Sequence, residues 1–284
     1  MKMIFLLLSL SLFVGCSDQS SSLYSQPSKQ KAETTLVIYS GITMVQPLQK
    51  LANEFAQKHN ISIQIKQGAS GYLYQTLKDE QRGDIYFPGT DHYRIKYQHE
   101  GFLKDYRLVG YNRIAIIVAK DNPKQLTNNL NQLLDPNLSV VLSAPSSGAV
   151  GKATQKLLQK LNIERQVYDN VTYFTTDSHR LMYAIKNQEA DITLNWQAVA
   201  NWPQNLSYLT AIPIEPAYQD KKRLELNLLS FSKQPEIAQQ FMEFASSENG
   251  LRTFMEYGFL TSEEVNELIN NKNAHKISKS TQQN

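Results

Sequence analysis

The 284-residue chain has almost no cysteine; Cys16 stands alone. No internal disulfide can form, so the fold has to rest on a hydrophobic core. Charge of one sign is lacking too. With 29 Lys and Arg against 26 Asp and Glu, the formal net charge is +3, which implies no strong electrostatic partner. No basic stripe suggests a nucleic-acid surface. The one long apolar run, from Ile4 to Val14, is too short to span a bilayer as a lasting anchor. Catalytic signatures are also missing: no Gly-x-Ser-x-Gly turn, no Walker loop, no Cys/His nucleophile pair. "PSSGAVGK" (145–152) superficially looks like a phosphate loop, but its spacing to Lys152 is wrong. Asp84, Asp91 and His92 in "GDIYFPGTDHY" lack further His or Cys at ligand spacing, so neither a metal site nor a cofactor is expected. An enzyme is disfavoured. Asp91 is expected to cap the helix that follows it.

The N-terminus reads "MKMIFLLLSLSLFVGCS": Lys2, the apolar run, then small Gly15 and Cys16. This is the layout of an export signal. Cys16 directly after Gly15 looks like a lipoprotein processing box, in which the cysteine is lipidated and becomes the new N-terminus. That pattern usually has Leu three positions before the cysteine; here Phe13 stands there and Leu12 one earlier. The alternative is an ordinary secretory signal cleaved near Cys16. Residues 17–33 are polar and low in complexity and read as a flexible tether. Residues 261–284 read as a C-terminal helix and a disordered tail, the tail carried by "NNKNAHKISKSTQQN".

With 41% hydrophobic and 10% aromatic residues, the remainder suffices for one large or two small domains. Strand-like and helix-like segments alternate. "TLVIYS" (35–40) reads as a buried strand. "VQPLQKLANEFAQKH" (45–59) sets Leu48, Leu51, Ala52 and Phe55 at i, i+3, i+4 and i+7, one face of a helix. Strands are expected at 61–68, 83–89, 113–120, 139–145, 171–176, 190–196, 208–214 and 224–231. Helices are expected at 71–81, 149–161 and 178–188, with two more over 235–258. The alternation predicts an α/β fold with mainly parallel sheets and helices on both faces. It groups into two lobes, 34–115 plus 208–260 and 116–207, joined by two hinge crossings near 116–120 and 207–216. A cleft should lie between them.

Four turns at the carboxyl ends of expected strands are small and rich in hydroxyls: "SGITM" (40–44), "GASGY" (68–72), "SAPSSGAVG" (143–151) and "TTDSH" (175–179). Ligands collect at such ends in open α/β sheets. Each turn leads into a helix whose first N–H groups lack intrahelical partners and sit at the positive end of the dipole. Such ends hold tetrahedral oxyanions without a side-chain cation. The same residue types are also preferred caps and turn formers. Thr43 is expected to cap its helix and to offer a donor besides. Asp177 is expected to act as a cap alone, because a carboxylate repels an anion. The many tyrosines of the first lobe, Tyr93 among them, read as packing residues, one or two of them at the cleft mouth.

The order of these turns and strands, continued through "VGYNRIAIIVAKDNP" (109–123), "QEADITLNW" (188–196) and "FMEYGFL" (254–260), resembles the periplasmic molybdate-binding proteins of ABC importers, in the type II solute-binding superfamily. The resemblance covers about 35 to 260. It implies two lobes closing on a small oxyanion. Carried over by position, the ligand donors fall on Thr43 and Ser70 in the first lobe. In the second they fall on Val150, in a turn with Ser147 and Gly148, and on Ser178. The family's tyrosine donor falls on Trp196, a departure that neighbouring Asn195 could make good. Ser40, Gly41 and Arg180 are further candidates; an inward-facing Arg180 would suit phosphate or a phosphonate.

The expected protein is therefore a monomer held to a membrane only through its N-terminal lipid, in the periplasm or at the cell surface. It would deliver molybdate or tungstate to an ABC permease. The alternative is an oxyanion sensor for phosphate, sulfate or a related anion, reporting to a membrane receptor.

Overall fold

A computed structural model describes residues 34–215 and 217–281, with side chains described as far as Lys272. Cys16 and the expected signal and tether lie outside the described residues.

The chain opens with β1 (Thr35–Gly41), a 3₁₀ turn (Ile42–Met44), α1 (Val45–His59), β2 (Ser62–Gly68), α2 (Ser70–Glu80), β3 (Ile85–Phe87), α3 (His92–Lys96) and β4 (Leu103–Asn112). A second lobe follows: β5 (Ile114–Ala119), β6 (Val140–Ser143), α4 (Ala149–Lys160), α5 (Glu164–Asn170), β7 (Val171–Thr175), α6 (Ser178–Lys186), β8 (Ile192–Trp196) and β9 (Leu209–Pro213). The chain then returns through β10 (Lys222–Leu229), α7 (Pro235–Ala245), α8 (Glu248–Glu256) and α9 (Ser262–Thr281).

Two five-stranded sheets result, ordered β2-β1-β3-β10-β4 and β7-β6-β8-β5-β9. Two α/β sheets are present, as the expected fold class requires, but their pairing is mixed. β1 runs parallel to β2 and β3, and β6 runs parallel to β7 and β8, because a helix carries the chain back between each pair. β10 and β5 are antiparallel to both their neighbours. These are the strands that enter each sheet from the other lobe, so they run against the strands already there.

The crossings also shift from their expected places. The first is Arg113, between β4 and β5, so Ile114 and Ala115 belong to the second sheet. The second lies between Pro213 and Lys222. β9, assigned by the sequence reading to the first lobe, pairs with β5 in the second. A strand's own residues do not say which neighbour it pairs with; β9 is claimed by the long register Ala115–Pro213 to Ala119–Leu209. The C-terminal helix runs to Thr281, through most of the stretch whose composition suggested a tail.

The helical spacing of α1 does bury Leu48, Leu51, Ala52 and Phe55, and the helix stops at Asn60 in a left-handed conformation (φ 50°). These side chains pack with Leu36, Ile38, Phe241 and Phe254 on the outer face of the first sheet. A second apolar cluster runs from Tyr39, Tyr86 and Tyr93 of the first lobe into β5, β6 and β8 of the other. Both crossings meet one carboxylate. Glu264, in the first turn of α9, accepts hydrogen bonds from Arg113 and, at 2.6 Å, from Lys221. Burial pushes the Glu264 carboxyl up, but the bonds from Lys221 and Arg113 outweigh it and hold the group below its ordinary range.

Candidate functional site

The carboxyl ends of the strands of both sheets face each other across a cavity of about 30 Å³. From the first lobe it is lined by Gly41 to Thr43, Gly68 to Ser70 and Gly89; from the second by Gly148 to Val150, Thr176 to Ser178 and Trp196. The lobes touch closely because the facing residues are small. A Cβ on Gly89 would lie 3.1 Å from the Ala149 Cβ, and one on Gly148 would lie 3.4 Å from the Ala69 Cβ. A water needs roughly 10–15 Å³ of such space, so the cavity suits a compact group of a few heavy atoms. No Lys, Arg or His lines it.

Two uncapped helix starts contribute residues to its wall. α2 starts after Ala69 with no side-chain cap, and its first bonded amide is Leu73, which donates to the Ala69 carbonyl at 3.1 Å. The amides of Ser70, Gly71 and Tyr72 thus precede the helical ladder. α4 starts after Gly148 in the same uncapped way, and Lys152 is its first bonded amide, at 3.2 Å. The 3₁₀ turn and α1 also lack a side-chain cap. Thr43 therefore does not cap its helix, contrary to expectation. It sits inside the 3₁₀ turn, where its hydroxyl donates to the Met44 sulfur at 3.0 Å. α6 differs: Asp177 accepts from the His179 and Arg180 amides at 2.9 and 3.0 Å, the capping role expected of it. Only the Ser178 amide of that first turn is left without a partner among the described residues. Asp91 stands at the start of α3 but makes no side-chain capping bond.

Of the residues singled out in the sequence, Gly41, Thr43, Ser70, Gly148, Val150, Ser178 and Trp196 line this cavity. Ser40, Ser147 and Asn195 stand behind it. The Ser40 hydroxyl donates to the Gly41 carbonyl at 3.0 Å. Ser147 spends its hydroxyl inside its own turn, donating to the Ala144 carbonyl at 2.7 Å. Asn195 accepts from the Ser178 hydroxyl at 2.5 Å and from the Trp196 amide at 2.8 Å, and its amide nitrogen donates to the Ser178 carbonyl. It positions Ser178 rather than facing the cavity. Arg180 points out: its side chain is 71% exposed, 3.6 Å from the Asp177 carboxylate. It follows the cap by three residues, and the turn of the helix carries it off the cavity face.

Ala69 and Thr176, inside two of the hydroxyl-rich turns but not named as donors, also line the cavity, and so does Gly89, for which no role was expected. Gly89 had a signal, since it ends the turn after β3, but it offers no side chain to notice. It was also not expected that Asp177 forms part of the wall. Both its oxygens are engaged, one by two amides of α6 and the other by the Thr176 hydroxyl at 2.9 Å. Among the described residues no group of three His, Cys, Asp or Glu converges as metal ligands, and no helix is long and apolar enough to cross a membrane.

The model of a family described as bacterial extracellular solute-binding proteins matches residues 36–260. A Bacillus subtilis (strain 168) protein, named as an ABC transporter substrate-binding lipoprotein, is 24% identical over 255 residues, 87% of this chain and 93% of that protein. Three solved structures share the fold. The sulfate-binding protein SubI from Mycobacterium tuberculosis has a TM-score of 0.71 at 14% identity, covering 84% of this chain and 90% of that one. The Azotobacter vinelandii periplasmic molybdate-binding protein has a TM-score of 0.68 at 14% identity, with 80% and 99% covered. Iron-bound HitA from Pseudomonas aeruginosa has 0.61 at 20% identity, with 78% and 84% covered. Neighbours with ligands this different leave the ligand to be argued from the site itself.

Proposed function

The chain belongs to the bacterial extracellular solute-binding protein family, and on that footing we propose that it captures a small tetrahedral oxyanion between its lobes and hands it to an ABC permease. The observation that carries this reading is the meeting of the uncapped starts of α2 and α4, one from each lobe, on one small cavity without a basic side chain. An anion there gains several backbone donors and the positive ends of the helix dipoles. A buried charge without such donors costs many kcal/mol. The Thr43 side, Ser70, Val150 and Ser178 supply the donors, and the Trp196 indole closes the wall. Molybdate or tungstate is the first ligand, as the sequence resemblance implies. The relative named as a lipoprotein supports Cys16 as a lipid anchor and a place outside the cytoplasmic membrane. The protein acts as a binding component rather than an enzyme.

Asp177 favours a second ligand reading. A carboxylate in the wall repels a fully ionised anion, but it accepts a hydrogen bond from a protonated one. Hydrogen phosphate carries such a proton near neutral pH, whereas molybdate and sulfate do not. Calorimetric titration with molybdate, sulfate and phosphate separates the readings. Absence of binding by all of them would retire the oxyanion class.

A further inference from the structure

Beside the small cavity lies a much larger one, about 470 Å³, also between the lobes. Ala149 lines both. The first lobe contributes Asp91, His92 and Tyr93; the second contributes Lys152 and Lys156 from α4; Lys222, at the end of the return crossing, completes the wall. An inorganic oxyanion has no use for this space, which falls in the size range of organic ligand sites.

Its charge is lopsided. Lys152 and Lys156 form no ion pair among the described residues, while Lys222 is paired with Asp220 and Asp91 is the one acid in the wall. The Lys152 ammonium lies 5.6 Å from the centre of the Tyr93 ring. The field is felt by His92, whose pKa is lowered by burial and by the charges of Lys156, Lys152 and Lys96, with Asp91 opposing them.

A second observation comes from Tyr93, in the wall of the larger cavity. The Tyr93 hydroxyl is buried, its residue 2% exposed, and it has no hydrogen-bond partner among the described residues. It lies 3.4 Å from where a Cβ on Gly71 would sit, and Gly71 follows Ser70, which lines the small cavity, in the first turn of α2. A buried phenol without a partner costs free energy unless something accepts its proton.

We propose that the ligand is a monosubstituted oxyanion with a second acidic group: a phosphate or phosphonate head in the small cavity, and a carboxylate-bearing tail in the groove between Lys152 and Lys156, past the Tyr93 hydroxyl. This rests on the oxyanion reading of the small cavity and selects among its ligands. The two lysines come from one helix and the histidine and tyrosine from the other lobe, so the tail also ties the lobes together.

The test is calorimetric titration of the full chain and of a Lys152→Met/Lys156→Met double variant. The probes are orthophosphate, glycerol 3-phosphate and 2-phosphoglycolate, which offer a head alone, a head with a neutral tail, and a head with an anionic tail. The expected result is that 2-phosphoglycolate binds the wild type at least about tenfold more tightly than glycerol 3-phosphate, the scale of one charge-assisted hydrogen bond. The double variant loses that advantage and keeps its affinity for orthophosphate. Equal affinities for the two tailed probes in the wild type, or an advantage that survives both substitutions, overturns the proposal while leaving the oxyanion cavity standing. Failure of orthophosphate, molybdate and sulfate alike to bind overturns the reading beneath it.

Discussion

The Ser70 side-chain oxygen accepts a hydrogen bond from the Gly89 backbone N–H at 3.0 Å, tying the start of α2 to the turn after β3 across the floor of the cavity. A hydroxyl has one proton and two lone pairs. Because Ser70 uses a lone pair on Gly89, its own proton stays available to a ligand. The bond thus fixes the oxygen's position and its donor role together.

Ser70→Ala should therefore act twice. It leaves the buried Gly89 amide without a partner, at a cost of about 1–3 kcal/mol, and it removes one donor from the ligand. Thermal denaturation should show a lowered but still cooperative transition. Titration should show oxyanion affinity down by about tenfold or more.

Asp177→Asn keeps a good capping residue on α6 and removes the negative charge from the wall. Affinity for sulfate and molybdate should rise, and affinity for phosphate should fall as the acceptor for its proton weakens. Competition titrations at neutral pH with the three anions read this directly. Parallel changes for all three would show that Asp177 serves its helix alone.

The sequence showed these elements unequally. The apolar spacing of α1 and the hydroxyl turns stand in single short segments, so Ser70, Gly148 and Ser178 could be picked out by local chemistry. Pairing is not local. β9 reads as a strand in any context, and only its ladder with β5 puts it in the second lobe. Residues that act by being small escaped as well. Gly89 and Ala69 are informative because of what faces them, Ala149 and Gly148, more than fifty residues away in the chain. Ser147 shows the opposite: its hydroxyl stands out in the sequence, while in the fold it is engaged by a carbonyl three residues back.

Gly89→Val is a wedge. Its side chain would enter the space against the Ala149 Cβ and near the Asn112 side chain, 3.5 Å from the new Cβ. The lobes could no longer meet as they do here. Small-angle scattering should show a larger radius of gyration than the wild type in the presence of ligand, and affinity should drop sharply. Gly151→Ala probes the opposite kind of contact. Its Cβ would fall 2.1 Å from the Ala144 carbonyl oxygen, so the start of α4 must shift. A loss of about 1–3 kcal/mol in stability is expected.

The Glu264 clamp predicts an acid dependence. Its folded pKa lies below the ordinary value of 4.5. The stability it contributes is present above about that pH and is lost as pH falls through the folded pKa. Glu264→Gln should lower the melting temperature at pH 7, because the Arg113 guanidinium is left buried without its partner. The same variant should flatten the decline of stability below pH 4.5. An unchanged acid slope would place the titration elsewhere.

The proposed holding of a tetrahedral oxyanion by uncapped helix starts of both lobes is open to direct measurement. It is tested most directly by a thermal-shift titration of the full chain with molybdate, tungstate, sulfate, phosphate and arsenate, in the wild type and in Ser70→Ala. A ligand at 100 times its dissociation constant stabilises the native state by about 2.7 kcal/mol. The expected result is a clear rise in melting temperature with at least one of these anions and a smaller rise at the same concentration in the variant. No rise with any of them, or equal rises in both proteins, would contradict it.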